Sequence, residues 1–192
     1  MKLFFVTQNK AKVAEAKGIL APYGIDVEQK TVSFVEPDKG TVEETARAKL
    51  KQVRKQGLDQ FMVDDAGIYF AAYKDFPGIL SKRIYERIGY KGIRKLLHGE
   101  RREAWFRGAV GICFNGEMKI FSGETRGHII EQIDQPESPV TDFPYDPIFI
   151  PEGESRVLSE LSEEEWQTYS YRRKALVGLA EWLKEKKQNT SQ

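Results

Sequence analysis

Two adjacent carboxylates, Asp64 and Asp65, directly follow the apolar run 61–63. The run predicts a buried strand, and strand ends of an open α/β sheet are where ligands bind. Two neighbouring carboxylates repel each other unless they are separated or a cation neutralises them. Because no His or Cys lies nearby in the sequence, these oxygen ligands favour Mg²⁺ or Mn²⁺ over zinc. A turn or helix-capping role is the alternative.

Glu36 and Glu44 are the candidates for a second acid at such a site. Thr41 and Glu44 have the spacing of a capping box, which predicts a helix over 41–56. This gives Glu44 a structural role, so we favour Glu36 as the second acid.

A polar segment follows the first predicted strand, which covers 3–7. Its members are Thr7, Gln8, Asn9, Lys10, Ala11 and Lys12. The next helix is predicted over 11–23, and two lysines near its start oppose the helix dipole. A bound anion would reverse that penalty, so the segment is a candidate phosphate site, with two solvated lysines as the alternative. Neither a Walker P-loop nor a GxGxxG motif occurs.

An arginine is predicted to face the core at the start of the last helix, 170–186. Arg172 lies four residues before Leu176, on the inward face. An inward guanidinium requires a buried anion, unless only its stem packs there and the charge reaches solvent.

We interpret the proline-rich segment 134–145 as a loop, and two aromatic rings at its end, Phe143 and Tyr145, stand beside an acid, Asp146. The two rings suit stacking on a planar ligand. A turn that fills the core is the alternative.

The elements that position these residues follow from hydrophobic patterns. Alternation over 104–114, followed by Asn115 and Gly116, predicts a β-hairpin. Further strands are predicted at 25–34 and 127–133, and short helices at 82–88 and 92–97. Strand–helix–strand–helix–strand followed by a hairpin predicts an α/β protein with a mixed sheet.

Composition limits the classes of protein. The 192 residues suit one domain over 1–192, and 30 basic against 29 acidic residues argue against a nucleic-acid binder. No apolar run is long enough for a membrane span, and the first residues do not resemble a signal peptide. The single cysteine, Cys113, excludes a disulfide framework. We therefore expect a cytoplasmic protein.

Five spaced motifs resemble those of the inosine triphosphate pyrophosphatase family, which hydrolyses non-canonical purine nucleoside triphosphates. They occur in family order and cover nearly the whole chain. The motifs are Thr7-x-Asn9-x-x-Lys12, Val63-Asp64-Asp65-Ala66-Gly67, Pro77-Gly78-Ile79-x-Ser81-x-Arg83, Phe143-x-Tyr145-Asp146-Pro147-Ile148-Phe149 and Ser170-x-Arg172.

The resemblance implies an elongated mixed sheet flanked by helices, two lobes around a cleft, and a homodimer. It implies Mg²⁺-dependent cleavage of ITP, dITP and XTP to the monophosphate and pyrophosphate. Asp65 would hold the metal and activate water, with Glu36 as second acid. Residues implied to bind the substrate are Thr7, Gln8, Asn9, Lys10, Ala11, Lys12, Lys49, Ala66, Arg83, Phe143, Pro144, Tyr145, Asp146, Tyr171 and Arg172.

Three positions depart from the family pattern. Pro144 stands where Gly is usual, Tyr171 replaces a His, and Trp166 replaces a base-contacting Lys. Two other functions stay open. One is a pyrophosphatase for modified pyrimidine or methylated nucleotides on a related fold, and the other is a nucleotide-binding regulator without turnover.

Overall fold

Seven strands form one sheet in the computed structural model of this protein, which describes residues 1–133 and 143–190. The strands are Lys2–Val6 (β1), Asp26–Lys30 (β2), Phe61–Phe70 (β3), Pro77–Gly78 (β4), Glu103–Phe114 (β5), Glu117–Ile129 (β6) and Phe149–Pro151 (β7). The helices are Lys10–Leu20 (α1), Val42–Arg54 (α2), Ser81–Leu96 (α3), Glu163–Tyr169 (α4) and Tyr171–Thr190 (α5). The predicted α/β class with a mixed sheet is confirmed.

The strand order brings the candidate residues to one end of two parallel strands. The order is β2-β1-β3-β5-β6-β7, and β4 pairs with β3. β1 runs parallel to both β2 and β3, with Phe5 opposite Met62 of β3. The segment 7–12, which follows β1, and Asp64 of β3 therefore lie toward the same end of these strands.

The chain divides into two compact units. Unit 1 consists of Met1–Asp65, Gly108–Gly123 and the described residues from Tyr171 onward. Unit 2 consists of Ala66–Arg107 and the described residues between Glu124 and Ser170. The core of unit 1 contains the predicted inward residues of α5, which are Leu176, Leu179, Ala180 and Leu183. Unit 2 is rich in ring contacts, for example between Phe106 and Phe149.

Short-range signals predicted several elements correctly. The hydroxyl of Thr41 accepts a hydrogen bond from the Glu44 N–H, and the Glu44 carboxylate accepts one from the Thr41 N–H. This is the predicted capping box of α2. Asn115 and Gly116 have φ values of 50° and 79°, as a two-residue hairpin turn of type I′ requires.

Several predicted boundaries are wrong. β3 does not end before Asp64 but continues to Phe70, because its later residues pair with β4. Residues 127–129 end the long strand β6, so 127–133 is not a separate strand. β2 is shorter than the predicted 25–34, and α1 ends at Leu20. Of the predicted loop 134–145, residues 134–142 lie outside the described residues. None of the described helices has the length and hydropathy that a membrane crossing requires.

Candidate functional site

Asp64 and Asp65 lie in the middle of β3, where successive side chains point to opposite faces of the sheet. Their contacts follow this alternation, because Asp64 pairs with Lys12 of α1 and Asp65 pairs with Lys49 of α2. The mutual repulsion expected from the sequence is therefore relieved by separation and by two different lysines.

Asp64 is a buried anion between two cations. The Lys12 Nζ lies 3.2 Å from Oδ1 and 3.0 Å from Oδ2, and the Arg172 Nε lies 3.2 Å from Oδ2. Burial alone would raise the pKa of Asp64, but the charges of Lys12 and Arg172 outweigh it and lower the pKa to about 2. Asp64 is thus ionised at neutral pH and holds both cations in place.

Among the described residues, only one of the two oxygens of Asp65 has a hydrogen-bond partner. Oδ1 lies 3.0 Å from the Lys49 Nζ, whereas the buried Oδ2 has no hydrogen-bond partner among the described residues. Burial raises the pKa of Asp65 to about 6, although the charge of Lys49 opposes this shift. An unpaired buried oxygen is rare in native proteins and is often functional. Asp65 is therefore placed to accept a proton or a ligand at Oδ2.

Lys49 of α2 links Asp65 to Glu36. Its Nζ lies 3.0 Å from the Glu36 Oε1 and 3.1 Å from the backbone oxygen of Asp64. Burial lowers the pKa of Lys49, but the carboxylates of Asp65 and Glu36 outweigh it and raise the pKa above its ordinary value. Lys49 therefore stays charged. Of the two acids considered, Glu36 lies at this lysine, whereas Glu44 serves the capping box.

The segment 7–12 forms the start of α1. The Asn9 Oδ1 accepts a hydrogen bond of 3.0 Å from the Lys12 N–H, and the Thr7 hydroxyl accepts one of 3.1 Å from the Asn9 N–H. The first turn of α1 contains no acidic residue that would offset the helix dipole. The exposed residues of the segment 7–12 are Gln8, Lys10 and Ala11. The segment keeps the features of an anion site, and phosphate binding there stays a prediction.

Arg172 is buried and faces inward, as predicted, and the anions that it requires are part of the protein. Besides Asp64, its guanidinium forms an ion pair with Glu15 of α1 through Nη1. The side chains of Arg172 and Glu15 are each only 9% exposed. Sequence reasoning missed Glu15, although it lies three residues after Lys12 and so on the same face of α1. Arg172 ties α1, β3 and α5 together, and its contact with a base stays a prediction.

Tyr171 packs closely against two glycines, Gly108 and Gly123. A Cβ added at Gly108 of β5 would lie 2.4 Å from the Tyr171 Cδ2, and one at Gly123 of β6 would lie 2.0 Å from the Tyr171 backbone oxygen. Neither distance is sterically allowed, so the first turn of α5 approaches the strands closely because both positions lack side chains. This contact fixes the residue that precedes Arg172.

The loop 143–146 lies in unit 2 and is held by the buried side chain of Tyr145. Phe143 and Asp146 are half-buried, whereas Tyr145 is fully buried at 0% exposure. The Tyr145 hydroxyl donates a hydrogen bond of 2.8 Å to the backbone oxygen of Ser81. The ring of Tyr145 therefore supports the loop, and Phe143 is the more accessible of its two rings.

The other predicted residues take different positions. Ala66 follows Asp65 in β3 and is half-buried, and Arg83 is exposed on α3. Trp166 is half-buried on α4. The roles assigned to them by the resemblance stay predictions.

The carboxylates of Asp65 and Glu36 supply oxygen ligands of the kind that a divalent metal ion such as Mg²⁺ takes. The described residues contain no group of three or more His, Cys, Asp or Glu side chains that could hold a metal by itself. Mg²⁺ in nucleotide enzymes is held by one or two carboxylates together with water and phosphate oxygens. The buried Oδ2 of Asp65, which has no hydrogen-bond partner among the described residues, supplies one such ligand. Asp65 and Glu36 are the residues that would hold the ion.

Comparison with known proteins gives one family over nearly the whole chain. The model of the Ham1 family matches residues 3–182. The dITP/XTP pyrophosphatase of Thermococcus kodakarensis is 41% identical over 186 residues, which are 96% of this chain and 98% of that protein. The dITP/XTP pyrophosphatase of Methanopyrus kandleri is also 41% identical over 186 residues, covering 96% and 97% of the two chains.

Solved structures have the same fold. A HAM1 protein from Coxiella burnetii matches with a TM-score of 0.81 and 26% identity, covering 96% of this chain and 99% of that one. The Ham1 protein of Staphylococcus aureus matches with a TM-score of 0.81 over 97% and 100% of the chains, and its 24% identity speaks for the fold alone. Together with the near-complete match of the family model, these similarities show that the chain belongs to the Ham1 family.

Proposed function

We propose that this protein is a nucleoside triphosphate pyrophosphatase that hydrolyses dITP, ITP and XTP to the monophosphate and pyrophosphate. The observation that carries this function is the 41% identity, over 96% of the chain, to relatives named dITP/XTP pyrophosphatase. The cluster of Asp65, Lys49 and Glu36 supports it, because it combines an available carboxylate oxygen with a buried cation.

Asp65 is the general base of the proposed reaction. Its pKa of about 6 leaves it ionised at neutral pH, yet close enough to that pH to accept a proton efficiently. Lys49 holds Oδ1, so the attacking water is oriented on the Oδ2 side of the carboxylate, and the Asp65 carboxylate accepts its proton. The water attacks the α-phosphorus, the bond between the α- and β-phosphates breaks, and pyrophosphate leaves.

The triphosphate binds at the start of α1, along residues 7–12. The exposed Lys10 and the main-chain N–H groups of the first turn attract its charge, and Lys49 contributes a buried cation near the reacting phosphate. When bound at Asp65 and Glu36, Mg²⁺ or Mn²⁺ would neutralise phosphate charge and lower the pKa of water. Positioning and electrostatics supply most of the rate in such chemistry.

The base is selected through its 6-oxo group. Hypoxanthine and xanthine present an acceptor there, whereas adenine presents an amino donor that opposes the donors of Arg172 and of main-chain amides. In unit 2, Phe143 and Asp146 of the loop 143–146 contact the base. The enzyme acts as a homodimer in the cytoplasm.

A substrate panel with pyrophosphate detection tests this function. We expect pyrophosphate release from ITP, dITP and XTP in the presence of Mg²⁺, with much slower release from ATP. Faster hydrolysis of modified pyrimidine or methylated nucleotides would assign the chain to the related pyrophosphatase class. Tight binding of ITP without turnover would identify a nucleotide-binding regulator.

A further inference from the structure

Tyr90 anchors the backbone of the loop 143–146. Its hydroxyl donates a hydrogen bond of 2.7 Å to the backbone oxygen of Pro144, and both residues are buried. Proline has no N–H, so the carbonyl oxygen is the one main-chain hydrogen-bonding group at this position. A buried carbonyl oxygen without a partner is unfavourable. The Tyr90 hydroxyl therefore fixes the loop at the residue that departs from the family pattern.

Tyr85 holds Tyr90 and the loop together through ring contacts. The ring of Tyr85 meets that of Tyr90 edge to face with centroids 4.9 Å apart, and it meets the ring of Tyr145 at 6.3 Å. Burial raises the pKa of Tyr90, and Tyr85 and Asp146 raise it further. The Tyr90 hydroxyl therefore stays protonated and able to donate at neutral pH.

A break in α3 makes this arrangement possible. Gly89 has φ 57° and ψ −170°, a conformation that glycine adopts readily and other residues rarely do. Residues five apart lie on different faces of a continuous helix, so Tyr85 and Tyr90 would not meet in a regular α3. Because the helix restarts at Tyr90, the two rings come into contact and the Tyr90 hydroxyl reaches Pro144.

We propose that Tyr90 is a positioning residue for recognition of the purine base. It does not touch the substrate; it holds the Pro144 carbonyl and thereby the neighbouring Phe143 and Asp146. This inference rests on the proposed function, in which the loop 143–146 contacts the base. Tyr90 consequently contributes to base binding and not to the reaction at the α-phosphorus.

The variant Tyr90→Phe tests this role, because it removes only the hydroxyl. We expect KM for ITP to rise about fivefold, with kcat changed less than about twofold, as for loss of one hydrogen bond that acts in binding. The inhibition constant of IMP, which carries the base, rises by a similar factor. The inhibition constant of inorganic tripolyphosphate, which has no base, is unchanged.

Tyr73→Phe is the matched control. The Tyr73 hydroxyl donates to the backbone oxygen of Leu96, at the C-terminal end of α3. This variant loses an equivalent hydrogen bond of unit 2, so it should lower the melting temperature without changing either inhibition constant.

Three results would overturn the inference. Unchanged values of KM and of the IMP inhibition constant in Tyr90→Phe, with an active wild type, would refute the role of Tyr90 alone. Equal changes of KM and of the IMP inhibition constant in Tyr90→Phe and Tyr73→Phe would show that loss of stability, and not loss of loop positioning, weakens base binding. A wild type that does not hydrolyse ITP would refute the proposed function, and the role of Tyr90 with it.

Discussion

Asp64 and Asp65 are consecutive residues of β3, yet their carboxylates pair with different lysines, Lys12 and Lys49. Both oxygens of Asp64 contact cations, and its pKa falls to about 2. Asp65 keeps one oxygen without a partner among the described residues, and its pKa rises to about 6. The two neighbours therefore divide into a structural anion and an anion with one oxygen left for the reaction that we propose.

This division predicts opposite phenotypes for two isosteric variants. Asp65→Asn should lower kcat at least about 100-fold, because it removes the general base, while the melting temperature changes little. Asp64→Asn should lower the free energy of unfolding by about 3 kcal/mol, because it leaves Lys12 and Arg172 without their shared anion. Turnover assays and thermal unfolding of both variants measure this. Near-wild-type turnover in Asp65→Asn would show that the reactive carboxylate is elsewhere.

Low pH should reduce the free energy of unfolding by protonating Asp64. Its pKa is 3.8 in an unperturbed chain and about 2 in the folded protein, so the folded state favours the ionised form. The stabilisation is fully present above about pH 4 and is lost as the pH falls from about 4 toward about 2. The difference in free energy of unfolding between wild type and Asp64→Asn should shrink over that range. A difference that does not depend on pH there would contradict the assignment.

Glu15 should be coupled to Arg172. Glu15→Gln removes one of the two anions of the buried Arg172 and leaves the Asp64 pair in place, so it should destabilise the protein by about 1.5 kcal/mol. A double-mutant cycle with Arg172→Met separates the pair from its surroundings, and we expect a coupling energy above about 1 kcal/mol. Additive effects of the two substitutions would mean that the ion pair contributes nothing to stability.

The close packing of the Tyr171 ring on β5 should require a glycine at position 108. Gly108→Ala places a methyl group against that ring, and overpacking of this kind costs about 1–3 kcal/mol. The loss should be smaller in a Tyr171→Ala background, where the ring is absent. Gly18→Ala is the control, because a Cβ there meets nothing within 4 Å and alanine favours the helix. Equal losses with and without the Tyr171 ring would refute the contact.

Local sequence signals predicted the parts of the fold that local physics decides. The capping box of Thr41 and Glu44 and the hairpin turn at Asn115 and Gly116 both depend on residues within one turn. The extent of β3 could not be predicted in this way, because two charged residues resemble a strand end unless the pairing with β4 is known.

The candidate site was predictable in its residue types but not in its pairings. Asp65, Lys49 and Glu36 were identified from the sequence, and the structure brings them together. The pairing of Arg172 with Glu15 was not predicted, because the two residues are 157 positions apart and are joined by the packing of α5 on α1. The anion that the sequence required for Arg172 is therefore internal.

The position of water attack is the most direct test of the central claim. ITP is hydrolysed in ¹⁸O-labelled water, and the products are analysed by mass spectrometry. Because Asp65 is proposed to activate water for attack on the α-phosphorus, the label should enter IMP, and the inorganic product should be unlabelled pyrophosphate. Label in the inorganic product, or release of orthophosphate instead of pyrophosphate, would contradict the mechanism even if ITP were a substrate.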